Sequence, residues 1–284
     1  MMRSLSPLRY PGGKASIYDM TRDVIESHNM KMCQYAEPYA GGCGLALNLL
    51  TNNVVDELHL NDIDQSIASL WSCIVNQPEE LSNLISLAKI NMDEWYKQKE
   101  VQNIKDAADP LELAFSTLFL NRTNRSGIIK AGVIGGKKQD GAYRMDCRFN
   151  KVALIKKIHQ IAELKNKIHI YNMDAIEFIE KLESLKLSKP LLMVDPPYYN
   201  KGQSLYTNFY KHEDHAAVSE KLTKTNLPWL LTYDNTPEIS SLYKNFAQYQ
   251  FDINYSAAKK RIGNELFITS QQFIKITHEK LKLA

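Results

Sequence analysis

Short apolar runs recur along this chain, and most are separated by stretches whose apolar positions repeat at helical spacing. The runs at Gln34 to Ala36, Glu57 to Leu60, Lys167 to Tyr171, Leu191 to Val194, Trp229 to Tyr233, Gln250 to Tyr255 and Leu266 to Thr269 read as seven strands. Helices are expected at Ser16 to Ser27, Gly44 to Leu50, Ala175 to Leu185 and His212 to Leu222. Alternation of this kind predicts an α/β fold whose sheet is mostly parallel and covered on both faces. Between Ser66 and Asn166 the alternation stops. There the pattern is helical, at Gln65 to Ile74, Glu79 to Ala88, Pro110 to Leu120 and Lys151 to Leu164, with a glycine-rich basic loop from Ser126 to Gly141. This predicts an inserted module, 66–166, within a domain formed by 1–65 and 167–284.

Two strand ends carry candidate chemistry. Leu191-Leu192-Met193-Val194 runs into Asp195-Pro196-Pro197-Tyr198. Two prolines fix two φ angles and lack N–H groups, so the carbonyls of Asp195 and Pro196 can point outward. A carboxylate and a carbonyl accept two protons, and Tyr198 adds a stacking surface, a set suited to the exocyclic amine of adenine or cytosine. Taken alone, the same residues could be a tight exit from a sheet. Earlier, Glu37-Pro38-Tyr39-Ala40-Gly41-Gly42-Cys43-Gly44 joins a strand to an apolar helix, in the manner of a nucleotide-cofactor turn, although the dinucleotide pattern G-x-G-x-x-G is absent. Some 20 residues beyond such a turn a ribose-binding acid is expected. Asp62 fits that place, with Asp64 as the alternative.

Pro7-Leu8-Arg9-Tyr10-Pro11-Gly12-Gly13-Lys14, Glu37 to Gly42, Asn61-Asp62-Ile63-Asp64 and Asp195 to Tyr198 occur in this order. So arranged, nearly the whole chain resembles the Dam-like, alpha-class DNA adenine methyltransferases, which use S-adenosylmethionine. The resemblance implies a Rossmann-like methyltransferase with an inserted helical target-recognition domain. It implies methyl transfer to the 6-amino group of adenine in double-stranded DNA after base flipping, by an orphan enzyme or one paired with a restriction endonuclease. It also implies a catalytic set Asp195, Pro196, Pro197 and Tyr198. The implied cofactor set is Tyr10, Lys14, Glu37, Pro38, Tyr39, Gly41, Gly42, Asp62, Asp174 and Asp195. Tyr10 and Lys14 would close one side of the pocket, Glu37 would meet the methionine end and Asp174 the cofactor's adenine amine. Asp174 also reads as a plain helix N-cap, Tyr-Pro-Gly-Gly as a plain turn, Glu37 as an exposed strand-end acid, and Tyr198 and Tyr199 as buried aromatics. Phe209 and Tyr210 are expected to help wall the pocket.

A formal charge of +3 is too small to argue for nucleic acid, so distribution has to decide. From Asn121 to Lys157 there are ten bases against two acids, a patch able to neutralise phosphates. Within it, the resemblance places DNA contacts at Asn121, Arg122, Arg125, Ser126 and Lys130. Lys137 and Lys138 suit phosphate, while Asn and Arg suit base edges. The stretch from Thr123 to Lys130 differs from members that read GATC, so that specificity is not carried over.

The four cysteines, Cys33, Cys43, Cys73 and Cys147, show no paired spacing, which argues against a zinc site or disulfide framework and for a reducing, cytoplasmic setting. No run approaches the ~18 apolar residues of a membrane span. Methyl transfer from a sulfonium needs no metal, and the His212 and His215 pair lacks a marked third ligand. The expected assembly is a monomer or weak dimer. Two other classes stay open: an RNA or protein-amide methyltransferase, and a non-catalytic DNA-binding regulator. Methyl incorporation into DNA, RNA or protein separates the first, and cofactor binding without product marks the second.

Overall fold

The computed structural model describes residues 5–9, 14–199, 210–255, 261–273 and 276–284. Among the described residues, eight strands form one sheet: β1 Cys33–Glu37, β2 Val55–Asn61, β3 Ile168–Tyr171, β4 Pro190–Val194, β5 Trp229–Asp234, β6 Ala247–Tyr255, β7 Arg261–Thr269 and β8 Lys282–Leu283. Their order is β3-β2-β1-β4-β5-β7-β6-β8. The first five run parallel, whereas β7 is antiparallel to both β5 and β6, and β8 pairs antiparallel with β6. The sheet is therefore mixed and eight-stranded, not the mostly parallel seven-stranded one expected. A two-residue strand, Lys282–Leu283, exposed on both side chains, carries no periodicity that could announce it.

Central β4 is apolar from Leu191 to Val194 because it is covered on both faces, and those four residues are all buried. Alternate residues of each strand feed two cores. Tyr35, Leu58 and Leu60 join one, while Ala36, Leu192 and Val194 join the other. The helices are α1 Tyr18–Ser27, α2 Gly44–Thr51, α3 Gln65–Asn76, α4 Pro78–Leu87, α5 Met92–Asn103, α6 Pro110–Thr123, α7 Lys151–Ala162, α8 Ala175–Leu185, α9 His212–Lys224 and α10 Pro237–Leu242. Helix α8 shows the sequence logic plainly: Asp174 caps it by accepting from Ile176 N–H at 2.8 Å, and Ala175, Phe178, Ile179 and Leu182 form its buried stripe.

Helix α5 has no apolar stripe and was not expected. It is set by Asn91 accepting from Glu94 N–H at 2.9 Å, by acids in its first turn, and by burial of Trp95 and Gln98. The core on the α3 side is continuous from the sheet into residues 66–166, for Leu45 and Leu58 belong to the same buried cluster as Trp71, Leu81, Phe119 and Ile158. No helix among the described residues is long and apolar enough to cross a membrane.

Candidate active site

Strand order reverses between β1 and β4, and in open parallel sheets ligands settle in the crevice beyond the carboxyl ends at such a point. Four parallel strands bring their ends to this rim. Glu37 closes β1, Asp62 follows β2, Asp174 lies three residues past β3 and Asp195 follows β4. Asn61, fully buried, ties three of the ends together. Its Nδ2 donates to Pro38 O and Met173 O, both at 3.0 Å, and its Oδ1 accepts from Met173 N–H at 3.1 Å.

The turn after β1 is shaped by two residues in left-handed conformations, Gly41 (φ +46°) and Cys43 (φ +48°), the second immediately before α2. Gly42 and Pro38 are buried and Tyr39 is half-buried. Asp62 clamps the turn, accepting from Gly41 N–H at 2.9 Å through Oδ2 and from Asp64 N–H at 2.9 Å through Oδ1. Burial lifts the Asp62 carboxyl to about 6 against these two backbone donors. On the other side of the turn, Trp71 of α3 donates from Nε1 to Gly41 O at 2.8 Å. Asp64 is otherwise occupied, capping α3 through Ser66 N–H and pairing with Lys105 at 3.0 Å.

Glu37 is buried and accepts from Tyr35 OH at 3.0 Å. Burial, with the nearby Asp195 charge adding to it, pushes the Glu37 carboxyl up to about 8. Tyr39 and Tyr210 join their hydroxyls at 3.1 Å. Burial raises the Tyr210 phenol to about 12, with the charges of Asp174 and Asp62 acting in the same direction.

At β4 the carboxylate of Asp195 is the open end of a charged cluster. Its Oδ1 accepts from Thr232 Oγ1 at 2.8 Å and faces Lys14 Nζ at 3.1 Å. Lys14 also meets Glu265 Oε2 at 3.0 Å, and Tyr198 OH donates to Glu265 Oε1 at 2.6 Å. Glu265 is fully buried and Lys14 is 7% exposed, whereas Asp195 keeps 26% of its side chain open. Among the described residues, no partner reaches Asp195 Oδ2 or the Pro196 carbonyl. Burial raises the Asp195 carboxyl above its ordinary range, opposed by the Lys14 ammonium. Pro196 is buried and Pro197 half-buried.

Tyr198 departs from its expected part. At 4% exposure, with its hydroxyl on Glu265 and Lys14 Nζ 5.3 Å from its ring centre, it holds the charged cluster and presents no open stacking face. Tyr199 is less buried, bonded through N–H to Asp234 at 2.9 Å. Tyr10 and Phe209 lie outside the described residues.

The basic segment divides into two kinds of residue. Asn121, expected to read bases, is 2% exposed and is an internal clasp. Its Oδ1 accepts from Arg9 N–H at 2.8 Å, and its Nδ2 donates to Arg9 O at 2.9 Å and to Gly127 O at 2.8 Å. The Gly127 Cα lies so close to Arg9 that a Cβ would stand 2.1 Å from its carbonyl oxygen, at a φ of +77° that also favours glycine. Arg122 is likewise turned inward, donating to Arg148 O at 2.7 Å and to Pro7 O at 3.4 Å. Burial lowers its guanidinium to about 10. These two are corrections, because polar side chains with good base-reading geometry are equally good at satisfying buried carbonyls. Lys151 and Lys157 also donate to main-chain oxygens. By contrast Arg125, Lys130, Lys137 and Lys138 are exposed, and Ser126 is half-buried in a left-handed conformation (φ +58°).

Sequence reasoning missed Asn61, Trp71, Thr232 and Glu265 as members of the rim. Glu265 had a readable signal, an acid directly before Leu266-Phe267-Ile268, since a charge in a buried strand requires a partner.

The model of the D12 class N6 adenine-specific DNA methyltransferase family matches residues 10–260 of the chain. No individual curated protein matches it.

Proposed function

Because the chain belongs to the D12 class N6 adenine-specific DNA methyltransferase family, and so is an enzyme that methylates the 6-amino group of adenine in DNA, we propose how its rim divides that work. The family generally uses S-adenosylmethionine, and the residues of the β1 and β2 ends have the chemistry to hold it. Asp62 has an acceptor for each ribose hydroxyl, once the clamp on the glycine turn is in place. Glu37, raised to about 8 and with no cation beside it among the described residues, suits the cofactor's ammonium, which would restore its charged form. Asp174, already capping α8, suits the adenine amine. The cofactor supplies an activated methyl on a sulfonium; the residues of this chain bind and orient.

Adenine's amine is a weak nucleophile, since its lone pair is delocalised into the ring, and in a duplex it is also paired. A flipped base leaves the stack at a cost of a few kcal/mol. At the β4 end its two amine protons would be accepted by Asp195 Oδ2 and the Pro196 carbonyl. Accepting both favours a pyramidal nitrogen and stabilises positive charge as it develops there. Thr232 and Lys14 fix Oδ1, so Oδ2 is oriented before the base arrives. No covalent enzyme intermediate and no strong base enter this scheme. We assign the surface from Arg125 to Lys138 to DNA, with residues 66–166 as the recognition unit, and Asn121 and Arg122 to its internal architecture.

The observation that carries this reading is an Asp195 anchored through one oxygen and open at the other, at the switch point of the sheet. Asp195→Ala should lower turnover on unmethylated DNA by roughly 100-fold or more while leaving S-adenosylmethionine binding by calorimetry nearly intact. Turnover within a few-fold of the unaltered enzyme would overturn it.

A further inference from the structure

Away from the rim, at the edge of the sheet, lies a second cluster with no part in the scheme above. His59 of β2 and His169 of β3 are direct register partners, and their rings stack at 4.7 Å between centres with 20° between planes. Glu57, two residues before His59, stands on the same face. A carboxylate oxygen of Glu57 and one ring nitrogen from each histidine lie within 4.8 Å of one another, the only such group of three among the described residues.

The bonding around the cluster is that of a ligand set. His59 is 3% exposed, its Nδ1 bonds Tyr171 OH at 3.1 Å, and its buried Nε2 has no hydrogen-bond partner. With Nδ1–H donating to the tyrosine oxygen, Nε2 carries the lone pair, the same outer bond that fixes the tautomer of metal-ligating histidines. Gln34 Nε2 donates to Glu57 Oε2 at 3.2 Å, leaving Oε1 to His169 Nε2 at 3.3 Å. Burial keeps His59 neutral at physiological pH, lowering it to about 4. His215 also keeps an unpartnered buried Nε2, but its ring contacts are Tyr199, Tyr210 and Tyr233, and among the described residues it belongs to no group of three candidate ligands.

We propose that Glu57, His59 and His169 form a binding site for a divalent transition-metal cation of the zinc type, clipping edge strand β3 to β2. Two imidazoles and a carboxylate suit that class of ion, with water in the fourth position. Stacked rings cannot both aim a nitrogen at one ion, so the 42% exposed His169 turns out of the stack on binding while Tyr171 holds His59. The cation takes the place of the proton between His169 Nε2 and Glu57, and the neutral ring keeps that proton on Nδ1 instead.

The test is Zn²⁺ titration of the full-length protein against a chromogenic chelator, with thermal unfolding as a second readout. One equivalent should bind and raise the melting temperature. His169→Gln and Glu57→Gln, both altering part-exposed side chains, should weaken binding about 10-fold or more and remove the thermal shift, and Tyr171→Phe should weaken it about 10-fold. Methyl transfer should be unchanged in the glutamine variants. Equal Zn²⁺ affinity in the unaltered protein and His169→Gln, or binding abolished by Cys147→Ser instead, would overturn the proposal.

Discussion

The rim of the sheet and the base of the helical segment 66–166 are both rich in buried polar groups, yet they are bonded in opposite ways. At the base, Asn121 uses its amide on Arg9 and Gly127, and Asn124 accepts from Trp95 Nε1 at 2.7 Å while donating to Ile128 O and Ile129 O. Capacity is matched to need within the protein. At the rim, among the described residues, Asp195 keeps one oxygen without a partner and Glu37 is buried with a hydroxyl but no cation. At Asp195 and Glu37 the spare capacity lies at the strand ends proposed to meet ligand, whereas Asp62 and Asp174 reach the same edge with protein bonds already made. The rim itself repeats the contrast, because among the described residues Asp195 has a resident cation in Lys14 and Glu37 has none.

The sharpest way to break this comparison is to remove the resident cation. Lys14→Met leaves Asp195 and Glu265 facing each other without compensation, which should cost about 3–5 kcal/mol at pH 8. Carboxylates stripped of a cation rise in pKa and take up a proton, so the deficit should shrink as pH falls towards 5. Urea unfolding at both pH values checks this, and an equal deficit at both would show that charge is not the cause. Next in size, Asn121→Ala should lower stability by roughly 3 kcal/mol, through Arg9 and Gly127 groups left unsatisfied. Methylome sequencing should show its target sequence unaltered. A shifted target would return Asn121 to base reading.

A smaller effect concerns Glu37. In the free enzyme its carboxyl, at about 8, is largely protonated at pH 7, above the pH at which an unfolded glutamate ionises. That depresses stability progressively as pH rises from about 4.5 towards 8, the reverse of an acid whose pKa is lowered. If the cofactor's ammonium meets it, binding must expel that proton. Calorimetry at pH 7 in buffers of different ionisation enthalpy should then show release of nearly one proton, absent in Glu37→Gln. Equal heats in all buffers would detach Glu37 from the ammonium. Smallest is the effect of the exposed lysines: Lys137→Ala with Lys138→Ala should flatten the salt dependence of DNA binding by about one unit of slope per lost phosphate contact. An unchanged slope would remove them from the interface.

Much of this was legible from residues alone. Strand-end acids after apolar runs are local patterns, and a parallel sheet gathers them on one edge without further information. The seven longer strands follow for the same reason, whereas β8 and α5 owe their form to pairing and capping that no periodicity encodes. The clasp of Asn121 on Arg9 spans 112 positions of sequence, and only tertiary structure shows that the amide faces inward. Tyr198 misled because a tyrosine after two prolines looks like a platform until its hydroxyl finds a buried acid in β7. Glu265 is the instructive near miss, an acid in an apolar strand whose partner, Lys14, lies far off in sequence.

The clasp has a mechanical consequence. Arg9 is fastened to Asn121 of α6 and Lys14 to Asp195 beyond β4, and five peptide units at full extension reach no more than about 18 Å. While both bonds hold, the buried amide of α6 and the carboxylate beyond β4 cannot lie farther apart than that length allows.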